Sequence, residues 1–115
     1  MARRKVFHSN KISYVDGRYV SLETPVIGDI IEFKYIGLNV FDSKPLVFIL
    51  VRGGDFIRGI NLNYLTEYRV QQLLQEVNLK KMKWYELYDQ FIRTYKKNKI
   101  NAIKRVKYER NMNAT

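Results

Sequence analysis

"FDSKPLVFIL" (Phe41–Leu50) and "GINLNYL" (Gly59–Leu65) stand on either side of the turn "RGGD" (Arg52–Asp55). Together they read either as a phosphate-cradling or catalytic loop, or as the hairpin of a small barrel. A nucleotide-binding phosphate loop needs G-x-x-x-x-G-K-[ST] between a strand and a helix. Here Gly53-Gly54 join two apolar stretches and Asp55 follows at once, which is hairpin chemistry. The two glycines are expected to form a two-residue turn with positive φ in at least one of them. "LVFILV" (Leu46–Val51) is apolar without a break, the pattern of a strand buried on both faces. Asp42 can accept N–H bonds within its own turn, and Pro45 stiffens entry to the strand. Gly59 suits a bulge or a close backbone approach. Asn61 and Asn63 are expected at the sheet's end, where side-chain amides pair with loop backbone. Tyr64 and Leu65 then close the apolar end. This segment is a scaffold junction.

Upstream, "KISYV" and "RYVSL" flank Asp16-Gly17, a hairpin signal. Pro25 and Gly28-Asp29 mark a connection. "IIEFKYI" then alternates, with Ile31, Phe33 and Tyr35 on one face and Glu32 and Lys34 on the other. The expected core of the sheet includes Ile31, Phe33, Leu46, Phe48, Leu50 and Ile60. Downstream, Asn63 or Thr66 can cap a helix carrying Val70, Leu73, Leu74 and Val77, with Asn78 as its stop. "WYELYDQFIRTY" places Trp84, Leu87, Tyr88, Phe91, Ile92 and Tyr95 on one helical stripe ended by Lys97-Asn98. Residues 100–110 fit a short helix or a late strand equally well. The fold class is therefore α+β: a small, strongly curved antiparallel sheet or partly open barrel, Src-homology-3-like, followed by two or three C-terminal helices. The chain reads as one domain, with a basic arm over 1–10, a β-rich barrel over 11–65, a basic helical region over 66–110 and a tail over 111–115.

The net charge of +10 is unevenly placed. Residues 1–5 carry +3, residues 6–79 carry −1 and residues 80–115 carry +8. Such asymmetry points to a polyanion or an acidic partner. The candidate contact residues are Arg3, Arg4 and Lys5 on the arm, and Lys80, Lys81, Lys83, Arg93, Lys96, Lys97, Lys99, Lys104, Arg105 and Lys107 in the last third. They neutralise phosphates without reading sequence. The interleaved Trp84, Tyr85, Tyr88, Tyr95 and Tyr108 fall at core-like spacing, which favours backbone contact over base stacking. The chain has no cysteine and one histidine, His8, so it offers neither thiolate nor multi-histidine metal chemistry. The scattered acids Glu23, Glu32, Asp42 and Asp55 form no acid–base pair, and Ser43 lacks a glycine elbow. No enzyme activity and no cofactor is expected. No apolar run approaches the roughly 18 residues of a membrane-spanning helix, so no membrane partner is expected.

One resemblance adds to this reading. Phe41, Asp42, Pro45, Leu46, Val47 and Leu50, followed by Gly59, Asn61, Tyr64 and Leu65, form the pattern [FY]-D-x-x-P-L-V-x-x-L … G-x-N-x-x-Y-L. It resembles small, mostly uncharacterised proteins of large tailed bacteriophages. "FIRTYKKNKINAIKRV" is similar to that family's closing segment through Arg93, Tyr95, Ile100 and Ile103. Phe41 stands where a tyrosine is usual, and Asn63 where a histidine is more common. The resemblance implies a setting and no reaction: a structural or assembly component of a phage particle, located in the virion, or in the host cytoplasm before assembly. Its implied partners are other particle proteins with acidic surfaces, and a ring-forming homo-oligomer is one arrangement open to it. The alternative function is a sequence-nonspecific accessory protein on DNA or RNA.

Overall fold

The computed structural model describes residues 12–36, 44–78 and 89–108. Within them lie β1 (Ile12–Tyr14), β2 (Ile30–Tyr35), β3 (Leu46–Arg52), β4 (Phe56–Asn61), α1 (Glu67–Asn78), β5 (Ile92–Lys96) and β6 (Ile100–Tyr108). All six strands form one antiparallel sheet in the order β1-β6-β2-β3-β4-β5. The architecture is a strongly curved antiparallel sheet carrying a helix, and it does not close.

Register fixes which side chains share a face. Tyr14, Val106, Ile30, Phe48, Ile60 and Ile92 are partners in turn across all six strands. Alternate residues point to opposite faces, so the sheet buries two separate apolar clusters. One holds Ile30, Leu46, Phe48, Ile60 and Val106 beneath Val70 and Leu73 of α1. The other holds Ile31, Phe33, Val47, Ile49, Ile57, Tyr95 and Ile103 on the concave side. This is why "LVFILV" has no polar alternation: both faces of β3 are covered. The expected core residues are all present, divided between the two clusters, with Leu50 half-buried. Full burial of a side chain such as Leu73 contributes about 1.5–3 kcal/mol.

The curl follows from a short connection. β5 is an edge strand and β6 lies four strands away in the sheet, yet only Lys97–Lys99 join them. In a flat sheet that separation is about 19 Å, whereas four residue steps reach at most about 14 Å. The sheet must roll. At the rolled end, Lys97 N donates to Asp55 O at 2.9 Å, and Ile36 N donates to Lys99 O at 3.0 Å. Lys96 N donates to the Tyr35 hydroxyl at 3.2 Å. The Phe33, Tyr35 and Tyr95 rings meet edge to face at 5.1–6.2 Å and fill the concave interior.

Two bulges bend the strands. Register shifts between Ile49 and Val51 opposite Gly59, and a Cβ on Gly59 would collide with Phe48 O and Val47 Cγ1. The second shift falls between Glu32 and Lys34 opposite β6, where Ala102 takes φ 54°. At the sheet's end, Asn61 Oδ1 accepts from Asn63 N at 3.1 Å, and Asn63 Nδ2 donates to Lys44 O at 3.2 Å. Thr66 caps α1, its hydroxyl accepting from Arg69 N at 3.2 Å.

Three expectations are corrected, and one open choice is decided. Asp16-Gly17 is not a hairpin turn. β1 pairs with β6, Val15 N donates to Arg105 O at 3.0 Å, and Val20 bridges Ile103 farther along the same strand. Both flanks of the turn follow β6, and the loop with Gly17 at φ 71° is an excursion from it. Second, neither Gly53 nor Gly54 has positive φ. Three residues, Gly53–Asp55, link β3 to β4, with Gly53 N donating to Phe56 O at 2.9 Å. A Cβ at Gly53 would meet the Phe56 ring, so any larger residue there requires that ring to shift.

Third, the helix expected through Ile92 and Tyr95 is a strand, preceded by a 3-10 turn at Asp89–Phe91. Trp84, Leu87 and Tyr88 lie outside the described residues. The choice left open over residues 100–110 falls to strand at Ile100–Tyr108, so the described residues hold α1 and no second α-helix. Ile92, Thr94, Ile100, Ile103 and Val106 are β-branched, and they supply the backbone partners that β4, β2 and β1 require.

Candidate functional site

Strand geometry redistributes the basic residues that the sequence presents as one run. Between Ile92 and Tyr108 there are seven lysines and arginines and no acid. Arg93 and Lys96 lie on β5, Lys97 and Lys99 on the 3-10 turn, and Lys104, Arg105 and Lys107 on β6. Successive strand residues face opposite ways, so Lys104 joins the face that carries α1 while Arg105 turns to the other. A continuous basic helix face is thereby excluded for these residues. Arg3, Arg4, Lys5, Lys80, Lys81 and Lys83 lie outside the described residues.

On the outer face of β4 and β5, Phe56 is the partner of Lys96 and Arg58 the partner of Thr94. Arg58 Nε donates to Thr94 Oγ1 at 3.0 Å, and its guanidinium carbon sits 5.4 Å from the Phe56 ring centroid. A guanidinium oriented by a hydroxyl and a ring presents its remaining N–H groups as a fork that matches a carboxylate or a phosphate. Among the described residues, no carboxylate pairs with Arg58, Lys96, Lys97, Lys99 or Lys107. Arg93 Nη1 instead donates to the carbonyls of Gln90 and Ile92, both at 2.9 Å.

The opposite corner of the same face carries a second group. Lys104 and Glu32 are register partners. The Lys104 ammonium is 4.7 Å from the Tyr14 ring centroid and 4.9 Å from that of Tyr19. The Tyr14 hydroxyl donates to Glu32 Oε1 at 2.8 Å, and Lys44 Nζ lies 3.7 Å from the same oxygen. That hydrogen bond, more than burial, pushes the Tyr14 phenol above its ordinary pKa. Tyr14 and Tyr19 are 41% and 67% exposed.

The remaining charges hold loops. Arg52 donates to Leu22 O at 2.6 Å, to Pro25 O and to Glu23 O at 3.3 Å, stapling residues 22–25 to the end of β3. Arg105 lies 3.8 Å from Asp16. Asp29 accepts from Val26 N at 3.0 Å. A shallow groove of about 380 Å³ beside Leu74 has Ile30, Phe48 and Val106 as its floor. These are core side chains, with Asp29 and Lys107 at the rim. Among the described residues, no group of three His, Cys, Asp or Glu side chains could hold a metal ion, and no helix is long and apolar enough to cross a membrane.

Arg58, Tyr14 and Tyr19 were not singled out by the sequence, and Glu32 was weighed there only as a scattered acid. Their only signal is the pair of tyrosines bracketing Asp16-Gly17, which acquires meaning once β6 places Lys104 between them. No family model matches the chain, and neither a curated protein nor a solved structure matches it.

Proposed function

We propose that this chain is a non-enzymatic structural or assembly component of a tailed bacteriophage particle, docking through its barrel loops and basic strands on acidic surfaces of other particle proteins. One observation carries the docking: seven basic residues and no acid between Ile92 and Tyr108, held on two strands of a rolled sheet and on the 3-10 turn that joins them. Rigid placement lowers the entropy lost when such charges engage a partner. The motif spanning Phe41–Leu65 supports the phage setting. The strand order, with a three-residue 3-10 link between β5 and β6, supports a Src-homology-3-like barrel. The protein then resides in the virion, or in the host cytoplasm before assembly, and a ring of copies is compatible with both edges of the sheet being strands. Mass spectrometry of purified particles tests this. Stoichiometric presence is expected, and absence from particles whose host lysate contains the protein overturns it.

A second reading, a sequence-nonspecific accessory protein on the phosphate backbone, is favoured by the Arg58 fork beside Lys96. It differs in predicting binding to free nucleic acid that falls steeply with salt.

A further inference from the structure

We propose that Tyr14 and Tyr19, with Lys104 held against both rings, form a stacking platform for an unpaired base of a single-stranded nucleic acid. The site rests on three independent observations. Two tyrosines are exposed on one corner of the sheet instead of packing into either cluster, Tyr19 by 67%. An ammonium is fixed within 5 Å of both ring centroids, at 4.7 and 4.9 Å. The backbone there is strained: Ala102 takes φ 54° at a bulge two residues before Lys104, and bulges of this kind re-aim neighbouring side chains. Glu32 holds Tyr14 through its hydroxyl at 2.8 Å, so that ring loses little freedom when a base stacks on it.

The chemistry selects the ligand. Bases stack on aromatic side chains irrespective of sequence, and a neighbouring cation meets the phosphate that accompanies each base. An incoming cation would be repelled by Lys104 at the rings and by a chain of net charge +10. A strand carrying phosphates is attracted by the same charge. This corner lies across the same face from the β4–β5 corner around Arg58, so failure of one leaves the other standing.

The test compares two labelled oligonucleotides of about 12 positions, oligo-dT and an abasic strand with the same phosphates, titrated against the full chain by fluorescence anisotropy. The parent is expected to bind oligo-dT at least about tenfold more tightly than the abasic strand. Tyr19→Leu should abolish that preference while leaving abasic binding unchanged, and Tyr19→Phe should retain it. Tyr19 is exposed, so both variants are expected to keep the parent's circular dichroism. Equal affinity of the parent for the two strands, a preference that survives Tyr19→Leu, or no binding of either strand at low salt overturns the proposal.

Discussion

Gly59 faces the Phe48 carbonyl and the Val47 side chain so closely that no Cβ fits. Gly59→Ala should therefore destabilise by about 1–3 kcal/mol, the range for forced overpacking, in urea denaturation. Ala102 is the reverse case. Its φ of 54° costs an L-residue roughly 1–2 kcal/mol, and Ala102→Gly should raise stability by up to about 1 kcal/mol despite glycine's greater unfolded entropy. Tyr108 contributes a pH dependence. Burial, with the Glu67 carboxylate adding to it, pushes its phenol from 10.0 up to about 12. The folded state favours the protonated form, so the associated stability is fully present below pH 10 and is lost as pH rises through about 12. Thermal melts from about pH 9 to about 12 should show a shallower alkaline decline for Tyr108→Phe than for the parent.

At the scale of elements, β3 is the strand on which both clusters depend. Phe48 is 4% exposed and sits in the middle of the cross-sheet row. Phe48→Ala should cost about 3–5 kcal/mol in two-state denaturation, and a loss below about 1 kcal/mol would contradict its central place. The burial of β3 was legible because six consecutive apolar residues leave no face for water. β5 was not legible. Phe91, Ile92 and Tyr95 satisfy a helical stripe on paper, but Ile92 and Tyr95 in fact enter opposite clusters of a sheet. Local periodicity over five residues is too short to separate the two states. The unmet backbone of β4 decides between them.

For the whole molecule, charge is the testable quantity. If the basic strands engage about five phosphates of a duplex, the slope of log affinity against log salt should be about −4 to −5. Replacing Lys96, Lys97 and Lys99 together by Gln should flatten that slope and weaken binding about equally on unrelated sequences. Salt-independent binding, or a sequence preference lost with the lysines, would contradict backbone contact. Lys96 is exposed, and Lys97 and Lys99 hold the turn through backbone bonds to Asp55 and Ile36. The sheet is therefore expected to keep its denaturation midpoint in the triple variant.

Whatever depends on neighbours in the chain could be read from the residues alone. These features are the buried strand in "LVFILV", the alternation of Ile31 and Phe33 with Glu32, a bulge or close approach at Gly59, the pairing of the Asn61 and Asn63 amides with backbone at the sheet's end, a helix cap at Asn63 or Thr66 and the basic bias of the last third. Each is set by side-chain chemistry acting over a few residues. Where β1, β5 and β6 pair emerges only from the assembled fold, since those partners lie from 32 (Ile60 and Ile92) to 96 (Ile12 and Tyr108) positions apart in sequence. The fold also decided that Tyr14 and Tyr19 meet Lys104 and that Arg58 is oriented by Thr94. These contacts are products of sheet register, and register is a property of the assembled fold.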